Sequence, residues 1–134
     1  MKPKNRSEQR QTIMIILYQI FLFEQKENLI ELQSYIEEMT KKEEPFVKDT
    51  INGVLKNRVT IIEKANQYLK DWSLDRLSKI DQAIISIGIY ELLWTDTPPV
   101  VCINEAIELA KQYSDDAVRK MINGILDKVY RNKE

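Results

Sequence analysis

A chain of 134 residues is long enough to bury a core without disulfides or metals, and it reads as a single domain over residues 1–134. Its lone cysteine excludes an internal disulfide. The absence of histidine removes Ser-His and Cys-His pairs and histidine metal sites, and a net charge of −1 excludes a global basic field that would draw it onto nucleic acid. Only three glycines and four prolines, among abundant Ile, Leu, Lys and Glu, argue for helices joined by short loops, an all-α class. From about Arg6, the apolar residues Ile13, Ile16, Leu17, Ile20 and Phe21 recur at helical spacing and predict a first helix to about Phe23. Leu29, Leu32, Ile36 and Met39 mark a shorter second helix, ended by the polar cluster from Thr40 to Glu44. Pro45 suits the first turn of a third helix, which carries Val47, Ile51, Val54, Ile61, Ala65 and Tyr68 to about Lys70. Gly53 inside it predicts close approach to a neighbour.

Ser73 reads as the N-cap of a fourth helix, with Asp75 near the positive end of its dipole. The run from Leu77 to Leu93 leaves little polar face, as expected of a helix surrounded by others. Pro98-Pro99 ends that segment. A fifth helix is expected over about Val101 to Tyr113. A sixth opens at Ser114 as N-cap, with Val118, Met121, Ile122, Ile125, Leu126 and Val129 as its buried stripe. Residues 131–134 read as a frayed tail. There is no apolar stretch of about 18 residues and no signal-peptide pattern, so a cytoplasmic protein without a membrane span is expected.

Charge is unevenly spread: Lys2, Lys4, Arg6 and Arg10 fall in the first ten residues against Glu8 alone, making a basic N-terminal arm before an acidic middle. Enzyme chemistry finds no footing. Cys102 lies near a helix start but lacks a partner thiol or imidazole, and reads as packing. Glu91, Glu105 and Glu108 lack the Glu-x-x-His pairs that complete a carboxylate metal site in a bundle, and the glycines are too scattered for a phosphate loop. No catalytic residue, metal or cofactor is therefore expected.

The most informative segments are Ile103-Asn104-Glu105-Ala106-Ile107-Glu108-Leu109-Ala110-Lys111 and, further on, Asn123-Gly124-Ile125-Leu126-Asp127-Lys128. In this order and separation they resemble the two signature segments of the NusB family. The likeness extends over almost the whole chain: Arg6, Arg10 and Leu17-Tyr18-Gln19 near the N-terminus, Trp72-Ser73-Leu74-Asp75-Arg76-Leu77, Ile80-Asp81 and Ile89-Tyr90-Glu91-Leu92 in the middle, Pro99-Val100 before the first signature, and Arg119-Lys120 before the second.

The resemblance implies six or seven helices in two packed bundles, and a binding protein of transcription antitermination. Such a protein would take boxA-type single-stranded RNA of ribosomal RNA leaders together with the ribosomal protein NusE, in the transcription elongation complex. By the same resemblance, Arg6 and Arg10 are the first RNA-contact candidates, with Lys2 and Lys4 as weaker aids and Arg119, Lys120 and Asn123 extending the strip. Guanidinium forks suit phosphate and can stack on bases. Tyr18 and Asp81 match positions that face NusE.

Plainer readings stand beside these. Arg6 and Arg10 could be a solvated helix start, Tyr18 could be half-buried, and Asp81 is either a cap, locally paired to Arg76 or Lys79, or offered to a partner. Asn123-Gly124 either permits close helix approach or lets the backbone and amide reach RNA. The chain also departs from its relatives. Ser7 and Glu8 stand where more arginines or small residues are expected, and Met121 where the family often has Phe. Four phosphate contacts from the arm would give a log–log salt slope of only about −3. The alternative function is therefore a NusE-binding interaction module with weakened RNA affinity. A homodimer through part of the same surface is compatible with the sequence.

Overall fold

The computed structural model describes residues 4–24 and 29–133, with the side chains of all but 29 and 30 among these. Helix α1, Arg6–Glu24, starts from a reciprocal capping box. The Glu8 backbone N–H donates to Asn5 Oδ1 at 2.8 Å, and the Asn5 N–H donates to Glu8 Oε1 at 3.0 Å. Glu8, out of place in a basic arm, thus has a local structural task. Helix α2, Leu29–Thr40, and helix α3, Pro45–Lys56, follow near the expected boundaries, with Pro45 in the first turn of α3.

The long third helix predicted from the sequence is divided. Asn57 takes φ −102° and ψ 18°. Its backbone N–H and its Nδ2 both donate to the Gly53 carbonyl, at 3.0 and 2.8 Å, and helix α4, Arg58–Tyr68, starts at the next residue. An Asn side chain that competes for its own helix's carbonyl is the physical reason for the interruption. The start of the fourth predicted helix also moves. Ser73 precedes only a 3-10 turn, Leu74–Arg76, and the cap of helix α5, Lys79–Trp94, is Ser78, whose hydroxyl accepts from the Asp81 N–H at 3.1 Å. Helix α6, Pro99–Tyr113, begins with Pro99 in its first turn. Ser114 closes α6, and the neighbouring Asp115 caps helix α7, Asp116–Arg131, by accepting from the Val118 N–H at 2.9 Å.

Helix α5 is the axis of the molecule. Every residue from Asp81 to Ile89 is buried, and α5 packs on α1, α3, α4, α6 and α7. Helices α1–α3 form one cluster and α4–α7 the other, with α5 joining them, so the expected two-bundle all-α architecture is what the chain adopts. Arg10 meets Glu91 while Phe21 shares a cavity of about 370 Å³ with Gln82 and Ser86, so α1 runs antiparallel to α5. Two of the polar groups inside α5 are satisfied locally: Ser86 Oγ donates to the Gln82 carbonyl at 2.7 Å, and Gln82 Nε2 to the Leu77 carbonyl at 2.9 Å.

Two glycines set helix separations. A Cβ on Gly53 would lie 2.2 Å from the Tyr90 ring, the close approach that its place in the pattern predicts, and a Cβ on Gly88 would lie 2.8 Å from the Leu126 side chain. Gly124 differs, because a Cβ there would meet nothing within 4 Å; of its two readings, close helix approach is the one the packing excludes. Among the described residues, no helix is long and apolar enough to cross a membrane.

Candidate nucleic-acid interface

The basic arm leads into α1 where α1 lies against α3, α5 and α6. Arg6 is exposed. Its guanidinium sits 4.2 Å from the centroid of the Phe46 ring, and Nη1 donates to Gln9 Oε1 at 3.1 Å. A flat cation held on an aromatic face keeps its outer side open for a phosphate or a base. Lys4 is exposed, and its Nζ donates to Thr12 Oγ1 at 2.8 Å, folding the side chain back along the helix. Lys2 lies outside the described residues.

Arg10 is not on that surface, which corrects its assignment as a leading RNA contact. It is 4% exposed, and its fork grips Glu91 with Nε to Oε1 at 2.7 Å and Nη2 to Oε2 at 2.8 Å, while Nη1 reaches Glu105 Oε1 at 3.3 Å. Burial works against the charge, but the hydrogen bonds and negative charge of Glu91, aided by Glu105, outweigh it and raise the guanidinium pKa above its ordinary value. Ser7 Oγ donates to the same Glu105 oxygen at 2.7 Å, and Gln11 Nε2 donates to the Tyr113 hydroxyl at 2.5 Å. Together these contacts fix α1 along α6. The groove between them, about 280 Å³, is lined by Glu8, Glu105 and Glu108 among others, so the flank of the arm is acidic.

The second basic segment is carried by the start of α7. Lys120 and Asn123 are exposed, and Arg119 is half-buried with Nη2 3.2 Å from Asp116 Oδ1. Among the described residues Lys120 has no ion-pair partner. Helix α7 packs on α4, α5 and α6, so this segment and the arm are carried by different clusters.

Of the two positions matched to the NusE face, Tyr18 is half-buried on α1. Asp81 is 7% exposed and accepts a hydrogen bond from Ser114 Oγ, tying the start of α5 to the α6–α7 junction. Neither Arg76 nor Lys79 is its partner. Cys102 is buried, and burial, with the nearby Glu91 charge, pushes its thiol up to about 11, in keeping with a packing residue.

Sequence reasoning missed Phe46, the ring under Arg6, and the pairing of Arg10 with Glu91. For the second a signal existed: Arg10 stands three and four residues before Ile13 and Met14, on the buried stripe itself, and Glu91 is the one carboxylate of α5 beyond its first turn, within a mostly apolar run.

Comparison with known proteins agrees with this geometry. The NusB family model matches residues 7–131. The transcription antitermination protein NusB of Macrococcus caseolyticus is 36% identical over 129 residues, covering 96% of this chain and 98% of that protein, and its Campylobacter jejuni counterpart gives the same figures. Among solved structures, T. maritima NusB superposes with a TM-score of 0.82 at 31% identity over 98% of this chain and 94% of that one. A chain in the structure of antitermination factors NusB and NusE in complex with dsRNA gives 0.74 at 24% identity over 94% and 96%, a likeness of fold. With its signature segments on α6 and α7, this helix order and that match across nearly its full length, the chain belongs to the NusB family.

Proposed function

We propose that this chain is a transcription antitermination factor that works by binding: it pairs with NusE and holds boxA-type single-stranded RNA of a ribosomal RNA leader within the transcription elongation complex. Family membership supports the general role, as does the presence of NusB, NusE and dsRNA together in a structure containing a chain of this fold. The observation that carries the RNA reading on this chain is Arg6, exposed and braced on Phe46 with its outer face free. Lys4, Lys120, Arg119 and Asn123 are the accompanying contacts, with Lys2 on the arm. Tyr18 is the NusE-facing candidate. Asp81 shapes that face from beneath, through its bond to Ser114.

The test is retention of a boxA oligonucleotide against a scrambled one, with and without NusE. The expected result is preferential retention of boxA that is tighter with NusE present; equal retention of both oligonucleotides overturns the reading. Arg6→Ala should weaken binding more than Lys111→Ala, because Lys111 is engaged with Glu108 on the acidic flank.

A second reading is a NusE-binding module whose RNA affinity has fallen. It is favoured by the withdrawal of Arg10 into the interior and by the three carboxylates beside the arm. Calorimetry with NusE and RNA separately distinguishes the two: heat with NusE alone supports the second.

A further inference from the structure

Beyond the arm and the start of α7, one stretch of surface combines positive charge with aromatic faces. Helices α4 and α7 lie antiparallel, because Tyr68 and Lys70 share a groove with Met121, Gly124, Ile125 and Lys128, whereas Thr60 and Lys64 share the next with Val129, Asn132 and Lys133. Both grooves are lined by Tyr68, so they meet there to form one seam, of about 330 and 190 Å³ in its two parts. From Met121 to the end of α7 at Arg131 it follows that helix for roughly 15 Å at the helical rise per residue, with Lys133 just beyond.

Four lysines line this seam: Lys64 and Lys70 on the α4 side, Lys128 and Lys133 on the α7 side. No Asp or Glu among the described residues lines it, and none of the four lysines is ion-paired there. The carboxylates on the same helices are otherwise placed. Asp127 is bonded to Arg131, Asp116 pairs with Arg119, and Glu63 lies outside both grooves. Four uncompensated positive charges converge on one seam of a protein whose net charge is −1. Trp94 stands in the wall 39% exposed, stacked on Tyr90 at 6.0 Å between centroids, and Gly124 leaves the floor open at the other end, directly after Asn123.

We propose that the α4–α7 seam is a second binding site for single-stranded RNA, continuing the path from Lys120 and Asn123 along α7. Lysines on both walls act as point charges that track a phosphate backbone. Trp94 and Tyr68 offer ring faces on which bases of any sequence can stack. An acidic peptide would use the lysines but not the rings, so the seam suits a ligand with charge and flat faces together. It binds without sequence preference, so it lengthens the occupied RNA rather than choosing it.

The test uses the full chain carrying Arg6→Ala and Lys120→Ala, which removes two of the boxA contacts proposed above, one on the arm and one on α7, and Trp72→Phe, which leaves Trp94 as the single tryptophan. Titration with an oligouridylate of about 12 nucleotides should quench Trp94 fluorescence, with a log–log salt slope near −3, about 0.7 for each of four phosphates. Adding Lys64→Gln, Lys70→Gln, Lys128→Gln and Lys133→Gln should weaken binding at least about tenfold and flatten that slope. Absence of quenching, unchanged affinity in the glutamine variant, or equal quenching by oligoglutamate overturns the proposal. Failure of the boxA reading is separate. With the natural Arg6 and Lys120 restored, the glutamine variant should still prefer boxA to a scrambled oligonucleotide, and loss of that preference would assign the seam to the boxA site instead.

Discussion

Arg10 and Glu91 face each other across α1 and α5 as a buried two-pronged ion pair, 2.7 and 2.8 Å between donors and acceptors, at 4% and 1% exposure. A cation at the junction of the basic arm and α1 serves as a bolt between helices.

Removing one half of that pair leaves the other charge buried. Arg10→Ala should destabilise the fold by about 3–5 kcal/mol, whereas Arg10→Met with Glu91→Leu should recover most of the loss, because two apolar side chains of similar volume leave no stranded charge. Denaturant unfolding of both variants checks this. The double variant should bind RNA with an unchanged salt slope, since the Arg10 fork is engaged with Glu91 in the interior; a flatter slope would restore Arg10 to the RNA surface.

Gly53→Ala places a methyl group on the Tyr90 ring. The gain in helix propensity of roughly 1 kcal/mol should offset only part of the overpacking cost, for a net loss of about 1–2 kcal/mol. Tyr90→Leu in the same chain should relieve the clash, so that the two substitutions together cost less than their separate sum in thermal or denaturant unfolding.

The Asp81–Ser114 contact joins the first turn of α5 to the end of α6. Ser114→Ala removes the donor from a nearly buried carboxylate and should cost on the order of 1–3 kcal/mol, measured by unfolding. The same variant should weaken NusE binding if Asp81 shapes the partner-facing surface; intact affinity would detach Asp81 from that role.

Cys102 gives a pH dependence of defined sign. Its folded-state value of about 11 lies above the ordinary 9.0, so the folded chain holds the thiol proton more tightly than the unfolded chain does. That stabilisation is complete below about pH 9 and is lost as pH rises through about 11, a change of roughly 2–3 kcal/mol. Tyr90, also raised by burial and by Asp49 and Glu91, adds to the loss in the same direction at higher pH. Cys102→Ala should flatten the decline between pH 9 and 11, and native Cys102 should resist iodoacetamide at pH 8 far longer than it does in denaturant.

Much of the architecture was legible because apolar spacing reports burial directly. The stripes of α1 and α7, the largely apolar α5 and the proline break before α6 all stand where their periodicity puts them. Boundaries decided by single side-chain hydrogen bonds were not legible. Asn57 interrupts a helix by bonding back to Gly53, and Ser78 rather than Ser73 caps α5, because several Ser and Asn positions compete locally and only the tertiary fold chooses among them. The site was readable through resemblance alone, and resemblance does not distinguish an arginine that reaches outward from one that turns inward. Arg6 and Arg10 sit one helical turn apart, yet one rests on Phe46 in the open and the other is taken by Glu91, a partner 81 residues away in sequence.

The close passage of Leu126 over Gly88 has a consequence for synthesis of the protein. The innermost helix receives one of its walls from the last helix of the domain, so while a ribosome is still adding those residues the axis stands partly bare to solvent. Native structure must therefore close late, after α7 has emerged, and a nascent chain halted before Leu126 presents an oily flank to chaperones and proteases instead of a finished domain.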